Sequence, residues 1–549
     1  MLSQQSYQMN RQAPGKFRPR FLPVALALAS LLILTKTAMA LPLVISPSSG
    51  TPVSGVVKIT VAASTPVSWF NLNVDGTWIA SNPGTTAPSY NFTWDSGRAA
   101  LGSHTISAIG YNNRNQQVAA SAVTLKVMPL APVTYYVASS GSDTNDGRSR
   151  LTPWATVQKA ADTMAAGDQV IVGAGTYDAV VNVATSGAAG RPITFQADTG
   201  SQPVVQGFQI TANYIKVIGF EITNHNTTAP SGFGIYLAGS NAYIANNYIH
   251  DLYFEGAMIS GNGDPNSAAT SNNTLINNRF VRCEMAGAQI EGRNNLVQGN
   301  DVSYTRQYPA GGPVRAGADA DAFRFFGSGH IFRANRIHDI AWGTAENPNP
   351  HNDCFQTWGP AANVIIERNF CVWPQTGPNF NNEAAMIETS AGTVAGITFR
   401  NNLFVQMRQG IDVTGATGVA ALNNNFVGIV QEAVILKQAP SAQIANNIFY
   451  NVGSGQDSYV CADTVSRPTL QVAANDHFMQ GGAPGTYCGN APHLTLDPLF
   501  ANVAALDFHL QSNSPVIDQG TTLPQVTNDY YAGPRPQGAG YDIGAVEYH

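Results

Sequence analysis

GAQIE (Gly287–Glu291), AFRFF (Ala322–Phe326), CFQTW (Cys354–Trp358) and AAMIE (Ala384–Glu388) are four of eight short apolar runs that align between Ser231 and Tyr450. The others are GIYLA from Gly234, GAMIS from Gly256, GIDVT from Gly410 and AVILK from Ala433. Each belongs to a repeat that also holds an N-x-[FIV] strand. Its asparagines fall at Asn247, Asn278, Asn300, Asn335, Asn369, Asn402, Asn424 and Asn447, with spacings of 31, 22, 35, 34, 33, 22 and 23 residues. Periods in this range mean stacked copies of one supersecondary unit, each burying its apolar face on its neighbours. With two β-type runs per repeat, Gly and Asn turns and no helix-length periodicity, the unit is a coil of strands, and the stack is a parallel β-helix. The recurring asparagine suits a turn or a side-chain ladder inside the stack.

Composition agrees. Only 11% of residues are charged and 52 are glycine, a balance poor in the residues that surface helices need. The first forty residues stand apart: Arg11, Lys16, Arg18 and Arg20 precede the apolar run Phe21–Leu34, and Ala38-Met39-Ala40 has a small-x-small form. Residues 1–40 read as a secretory signal peptide, too short in its apolar run to be a membrane anchor. Without them, 23 Lys and Arg stand against 34 Asp and Glu, a formal charge of −11. That balance argues against a nucleic-acid partner, and no second apolar span calls for a membrane. A secreted or periplasmic monomer is expected. Export permits disulfides, for which Cys354 and Cys371 (17 apart) and Cys461 and Cys488 (27 apart) are the candidate pairs, leaving Cys283 alone.

Residues 41–129 carry alternating runs, Val56–Ala62, Trp69–Val74, Tyr90–Trp94, His104–Ala108 and Ala122–Val127, at roughly ten-residue intervals, which predicts a small β-sandwich. Its pieces VSG at Val53, VDG at Val74, FTWD at Phe92 and GSHT at Gly102 resemble the bacterial immunoglobulin-like modules of exported glycan-active proteins. From Thr134, YYVASSGSDTNDG, TPWATVQKAAD and GDQVIVGAGTY resemble the opening of the pectate-lyase-like right-handed β-helix superfamily, and DPLF, DFHL, SPVIDQG and RPQGAGYDIGAVEY its common ending. The resemblance implies an all-β chain: a right-handed parallel β-helix of about 8–10 coils over residues 134–549. A cap helix at Thr156–Met164 and a C-terminal closing segment complete it. One fold of this kind hosts several chemistries, so the reaction has to be read from the site.

Period-two alternation along the aligned strands sends their second and fourth residues inward and their third and fifth outward. On the middle coils the outward set is Gln289, Glu291, Arg324, Gln356, Trp358, Glu388, Asp412 and Thr414. Asp319 and Asp321 sit just before Arg324, and His351 and Asp353 just before Gln356. Coil stacking of about 4.8 Å brings Asp321 near Asp353, close enough to share a cation or to drive their pKa values apart. Insertions at Gly261–Asn273, Thr305–Ala318, Thr344–Asn352 and Gln375–Asn382 would wall this groove, and Trp342, Trp358, Trp373, Tyr304 and Tyr308 would stack on sugars.

Two reactions on a polysaccharide fit. For β-elimination of a uronate polymer, which the resemblance favours, His351 or Lys437 would be base, Arg324 would neutralise the uronate carboxylate, and Asp319, Asp321 and Asp353 would hold Ca²⁺. Gln289, Glu291, Gln356, Trp358, Glu388 and Asp412 would bind substrate. Lyases of this type commonly use a groove Lys or Arg as base, whereas Lys216 and Lys437 are the only lysines of the coils, Lys437 lying three coils past Asp353. For hydrolysis, Asp321 and Asp353 would be the paired carboxyls, supported by Glu388 or Asp412. A non-catalytic glycan-binding surface protein is the third reading. No organic cofactor is expected.

Overall fold

The computed structural model describes residues 43–64, 67–82, 84, 88–129, 131–306, 319–340, 351–373, 381–453, 459–482 and 493–549. The expected signal peptide therefore lies outside the described residues. The chain divides into two compact units at Leu130/Ala131.

In the first unit, the strands Leu43–Ser46, Val56–Ala63 and Ser89–Asp95 form one antiparallel sheet. Pro52–Val53, Gln117–Val127, Gly102–Tyr111, Trp69–Val74 and Thr77–Ser81 form the other. Alternation puts Ile59 and Val61 of the first sheet and Phe70, Leu72, Ile106 and Leu125 of the second into a single core. This is a β-sandwich, as the ten-residue strand spacing predicts.

The second unit is a parallel β-helix. One sheet of thirteen strands runs from Thr134–Val137 to Gln471–Ala473 with one strand per turn, so the stack exceeds the eight to ten coils expected. The additional turns lie before Ser231 and after Asn447, where the repeat pattern read from the sequence is absent. The helix Val157–Thr163, N-capped by the Thr156 hydroxyl accepting from Lys159 N, packs Val157, Ala160 and Ala161 into the core at the N-terminal end. It covers strand edges that would otherwise pair with other chains.

The asparagine signal resolves into two roles. At each turn the residue before the ladder asparagine is left-handed: Asn246 (φ 56), Asn277 (φ 53), Gly299 (φ 64), Asn401 (φ 53), Asn423 (φ 52) and Asn446 (φ 56), with Ala334 (φ 52), Arg368 (φ 56) and Ala474 (φ 48) at the other three. Asn and Gly tolerate that region best, which explains the Asn-Asn doublets. The second asparagine then points inside. Asn247, Asn278, Asn300, Asn335, Asn369, Asn402, Asn424, Asn447 and Asn475 form a buried ladder in which each Nδ2 donates to the next Oδ1 at 2.9–3.0 Å.

The C-terminal segment does not simply end the stack. Phe500, Phe508, Leu510, Val516 and Ile543 pack on the outside of Leu403, Val405, Val427 and Ile448, so the closing segment returns along the outer wall of the late coils. A buried Arg535–Glu547 ion pair holds its last turn. Cys354 and Cys371 form a disulfide, as their spacing suggests. Cys488 is outside the described residues, and Cys283 is buried in the core. Among the described residues no helix is long and apolar enough to cross a membrane.

Candidate active site

The groove strands Asp321–Phe325, His351–Thr357, Asn381–Glu388 and Gln409–Thr414 stack in parallel register. Along them the alternation slips once. Ala322 and Phe323 both enter the core, as do Cys354 with Phe355 and Ala384 with Ala385. The slip turns the residue just before each aligned run away from the core, on the same side as the third residue of that run. Asp321 and Arg324, three apart, thereby meet, with Arg324 Nε donating to Asp321 Oδ2 at 2.6 Å.

Register then builds two columns. Arg324 pairs with Gln356, Gln356 with Met386 and Met386 with Asp412. Beside them run Asp321, Asp353, Glu383 and Gln409: Asp353 N donates to Asp321 Oδ1 at 2.9 Å, and Asp353 pairs with Glu383 and Glu383 with Gln409. Three carboxyls therefore lie on consecutive coils, all buried. Both oxygens of Asp353 and Oε2 of Glu383 are buried without a hydrogen-bond partner.

Burial and mutual repulsion set the electrostatics. Asp321 is pushed up to about 6, chiefly by burial, against the pull of Arg324. Burial, then the charges of Asp321 and Glu383, raise Asp353 well above the usual carboxylate range. Glu383 is pushed up to about 7 by burial and by Asp412. At the half-open edge, His351 Nδ1 lies 3.6 Å from Asp319 Oδ2 and 3.9 Å from Asp353 Oδ2. Its contact with Asp319 raises the imidazole; at Asp319 burial acts upward but is outweighed by His351 together with Gln356 and Arg324, leaving the carboxyl below its usual value.

The residues expected from sequence fall into four sets. Asp319, Asp321, Arg324, His351, Asp353 and Gln356 are brought together; Gln356 Nε2 donates to Asp319 Oδ2 at 3.2 Å. Arg324, however, is buried, donates to Asp321 and to Asp319 O, and lies 5.6 Å from the Trp358 ring. It organises the cluster and leaves little of its guanidinium for a substrate. Asp412 and Lys437 form a second, nearby pair, with Nζ 2.8 Å from Oδ2. This bond raises the lysine further from the range of a base. Gln289 and Glu291 are turned to structure: Gln289 Nε2 bonds Glu291 Oε1, whose other oxygen accepts from Gly261 N at 2.6 Å, anchoring the insertion that begins there. Glu388 sits in register with Thr414, two residues along the strand from Met386.

Of the aromatics, Trp373 is a core residue and unavailable to a sugar. Trp358 packs edge-on to Phe326, and Tyr304 is exposed. Trp342, Tyr308 and most of the insertions at 305–318, 344–352 and 375–382 lie outside the described residues. Sequence reasoning missed Glu383 and its neighbour Arg408, 3.9 Å away. The signal was present: the residue preceding each aligned run reads Asp321, Asp353, Glu383, Gln409.

Among the described residues, Asp321, His351 and Asp353 are the group whose potential metal-ligating atoms all lie within 4.8 Å of one another. The array can hold a proton or a cation between carboxyls and present a base to a bound chain.

Comparison with known proteins bears on the scaffold. Residues 135–279 match the family model described as Pel9A-like, right handed beta helix region, which covers the coils preceding the carboxyl column. Over 441 residues the chain is 24% identical to pectate lyase L of Dickeya chrysanthemi, covering 75% of this chain and 90% of that protein. It is 31% identical over 134 residues to the uncharacterized protein YwoF of Bacillus subtilis (strain 168), covering 21% of this chain and only 28% of YwoF. The solved structure of pectate lyase Pel9A superposes with a TM-score of 0.50 at 18% identity, covering 77% of this chain and 98% of that one. With the coil geometry, these matches show that the second unit has the right-handed parallel β-helix fold of the pectate-lyase-like type.

Proposed function

We propose that this chain is an exported polysaccharide-degrading enzyme that cleaves a uronate-containing polymer by β-elimination over coils carrying Asp321, Asp353 and Glu383. The observation that carries the reading is the column itself: three buried carboxyls on consecutive coils, with oxygens that lack partners. Such a stack is expensive as mere structure. The similarity to pectate lyase L over most of both chains supports elimination as the reaction, and the leader-like first forty residues support export.

In this reading Glu383 is the base. Its carboxyl, held near 7, is matched to proton abstraction at neutral pH. It takes the proton beside the uronate carboxylate, the bond to the leaving glycosidic oxygen breaks, the electron pair becomes a carbon–carbon double bond, and the leaving oxygen gains a proton. His351, at the open edge beside Asp319, which raises its imidazole, would supply that proton where no ion is bound to the ring. Lys437 and Arg408 are the cations flanking Glu383 and Asp412 on the late side and would face acidic groups of the polymer. A divalent ion held by Asp321 and Asp353 would neutralise the uronate carboxylate and so acidify the proton to be removed.

Hydrolysis is the second reading, favoured by one observation: two carboxyls of the same column are pushed to about 6 and about 7. That separation suits an acid and a base on either side of a glycosidic bond. The test is incubation of the full mature chain with pectic, alginate and glycosaminoglycan polymers, recording unsaturated-uronate absorbance and new reducing ends together. Absorbance with reducing ends is the expected result. Reducing ends alone would replace elimination with hydrolysis, and neither signal on any polymer would remove the enzymatic reading.

A further inference from the structure

We propose that Asp321, His351 and Asp353 form a binding site for a first-row transition-metal dication such as Zn²⁺ or Mn²⁺, taken in preference to Ca²⁺. Asp353 is fully buried and neither of its oxygens has a hydrogen-bond partner. A carboxylate in that state is missing either a proton or a cation. Asp321 accepts one bond at each oxygen, from Arg324 and from Asp353 N, and each oxygen keeps a further lone pair. The imidazole Nδ1 of His351 lies 3.9 Å from Asp353 Oδ2, and the ligating atoms of all three residues fall within 4.8 Å of one another. These spans suit donors arranged around a single ion.

The imidazole is what selects the ion. Calcium is a hard cation that gathers six to eight oxygens at about 2.3–2.6 Å, whereas imidazole with carboxylate suits zinc and the later first-row metals. The expected set of Asp319, Asp321 and Asp353 would have been all oxygen. The structure puts Asp319 Oδ2 3.6 Å from the same Nδ1, where it would compete with the ion for that nitrogen or join the set as a further oxygen ligand. Gln356 Oε1, buried without a hydrogen-bond partner one coil from Arg324, is a candidate further oxygen donor. Charge points the same way. Asp319, Asp321, Asp353 and Glu383 face Arg324, His351 and, beyond Glu383, Arg408, so the acids outnumber the cations and a dication would ease the excess.

The binding claim stands on donor geometry; its meaning for catalysis rests on the reading given above. The test is calorimetric titration of the metal-stripped full chain with ZnCl₂, MnCl₂ and CaCl₂ separately, with Co²⁺ absorption as a spectroscopic report of nitrogen ligation. Zn²⁺ or Mn²⁺ should bind more tightly than Ca²⁺. His351→Gln, at a half-exposed position that leaves the carboxyls in place, should weaken Zn²⁺ by at least about tenfold while leaving Ca²⁺ unchanged. Asp353→Asn should abolish both. Tighter Ca²⁺ than Zn²⁺, no binding by any ion, or a His351→Gln variant with unaltered Zn²⁺ affinity would each overturn the proposal. Glycan cleavage by a protein shown to bind no ion would sink this site and leave the enzymatic reading standing. Tight Zn²⁺ binding without cleavage of any polymer would do the reverse.

Discussion

Two columns of polar side chains are buried in the same coils, and they obey opposite rules. The asparagine ladder is self-complementary, because an amide offers both a donor and an acceptor. Asn369 gives its two Nδ2 hydrogens to Phe332 O and Asn402 Oδ1, and its Oδ1 accepts from Asn335 N and Nδ2. The carboxyl column has the same coil spacing but only acceptors, so stacking it creates repulsion and orphan oxygens at Asp353 and Glu383. The ladder is therefore what a β-helix builds to hold itself together. The carboxyl column costs stability, and in the function proposed above chemistry is the reason to keep it.

Exchanging the two chemistries is the sharpest way to break this comparison. Asp353→Asn gives the column an amide where it now has an unpartnered carboxyl. Glycan cleavage should fall by about 10²–10⁴-fold, while the denaturation midpoint at mildly alkaline pH stays level or rises. A fall in stability of the kind expected for a ladder position would show that Asp353 is a structural group. The reciprocal change, Asn369→Asp, removes two donated bonds and buries a charge between Asn335 and Asn402. It should cost about 3–5 kcal/mol in denaturant unfolding; a cost under about 1 kcal/mol would mean that the ladder contributes no more than an ordinary hydrogen bond.

The two columns were not equally legible in the sequence. The ladder repeats at every turn, so its period and the Asn-Asn doublets announced both the fold and the strand positions; the cap helix and the sandwich strands were likewise written in local pattern. The carboxyl column appears on three coils only. Asp321 and Asp353 stand out because each has another titratable residue two positions before it, Asp319 and His351, whereas Glu383 has only Asn381 and Asn382 before it, and strict alternation begins counting one residue too late. The slip that turns Asp321, Asp353 and Glu383 away from the core is a tertiary feature: two successive core residues at one bend. For the same reason Arg324, outward by alternation, is in fact buried beneath Trp358 and Asp319. Trp373 looked like a groove aromatic and is core, since nothing local separates the two.

Protonation gives a smaller effect that separates the columns without altering packing. Glu383 titrates at an ordinary 4.5 when unfolded and at about 7 when folded, and Asp321 moves from 3.8 to about 6. Folded-state values raised above the unfolded ones mean that the native state binds more protons in between, so stability is fully present below the unfolded values and is lost as pH rises through the folded ones. The thermal midpoint should decline between about pH 4.5 and pH 7, and Glu383→Gln should flatten part of that slope. The residual slope belongs to Asp321 and Asp353 and to Glu284 and Asp476, of which burial raises the last two to about 8 and about 7. An unchanged slope in Glu383→Gln would place this carboxyl in water and disqualify it as the base.

The least disruptive change extends the column. Gln409 occupies the position after Glu383 in register and is nearly buried, so the run of acids stops there at an amide. Gln409→Glu keeps the shape and adds a fourth carboxyl one coil along. By like-charge repulsion it should lift the apparent pKa of Glu383 by about one unit, moving the base limb of the pH–rate profile upward by the same amount and steepening the stability slope. Arg408, 3.9 Å from Glu383, is close enough to absorb part of the added charge, which bounds the shift from above. If the base limb stays where it is, the titrating base is not in contact with the coil that carries Gln409. The assignment would then pass from Glu383 to Asp353 or His351, one coil back from it.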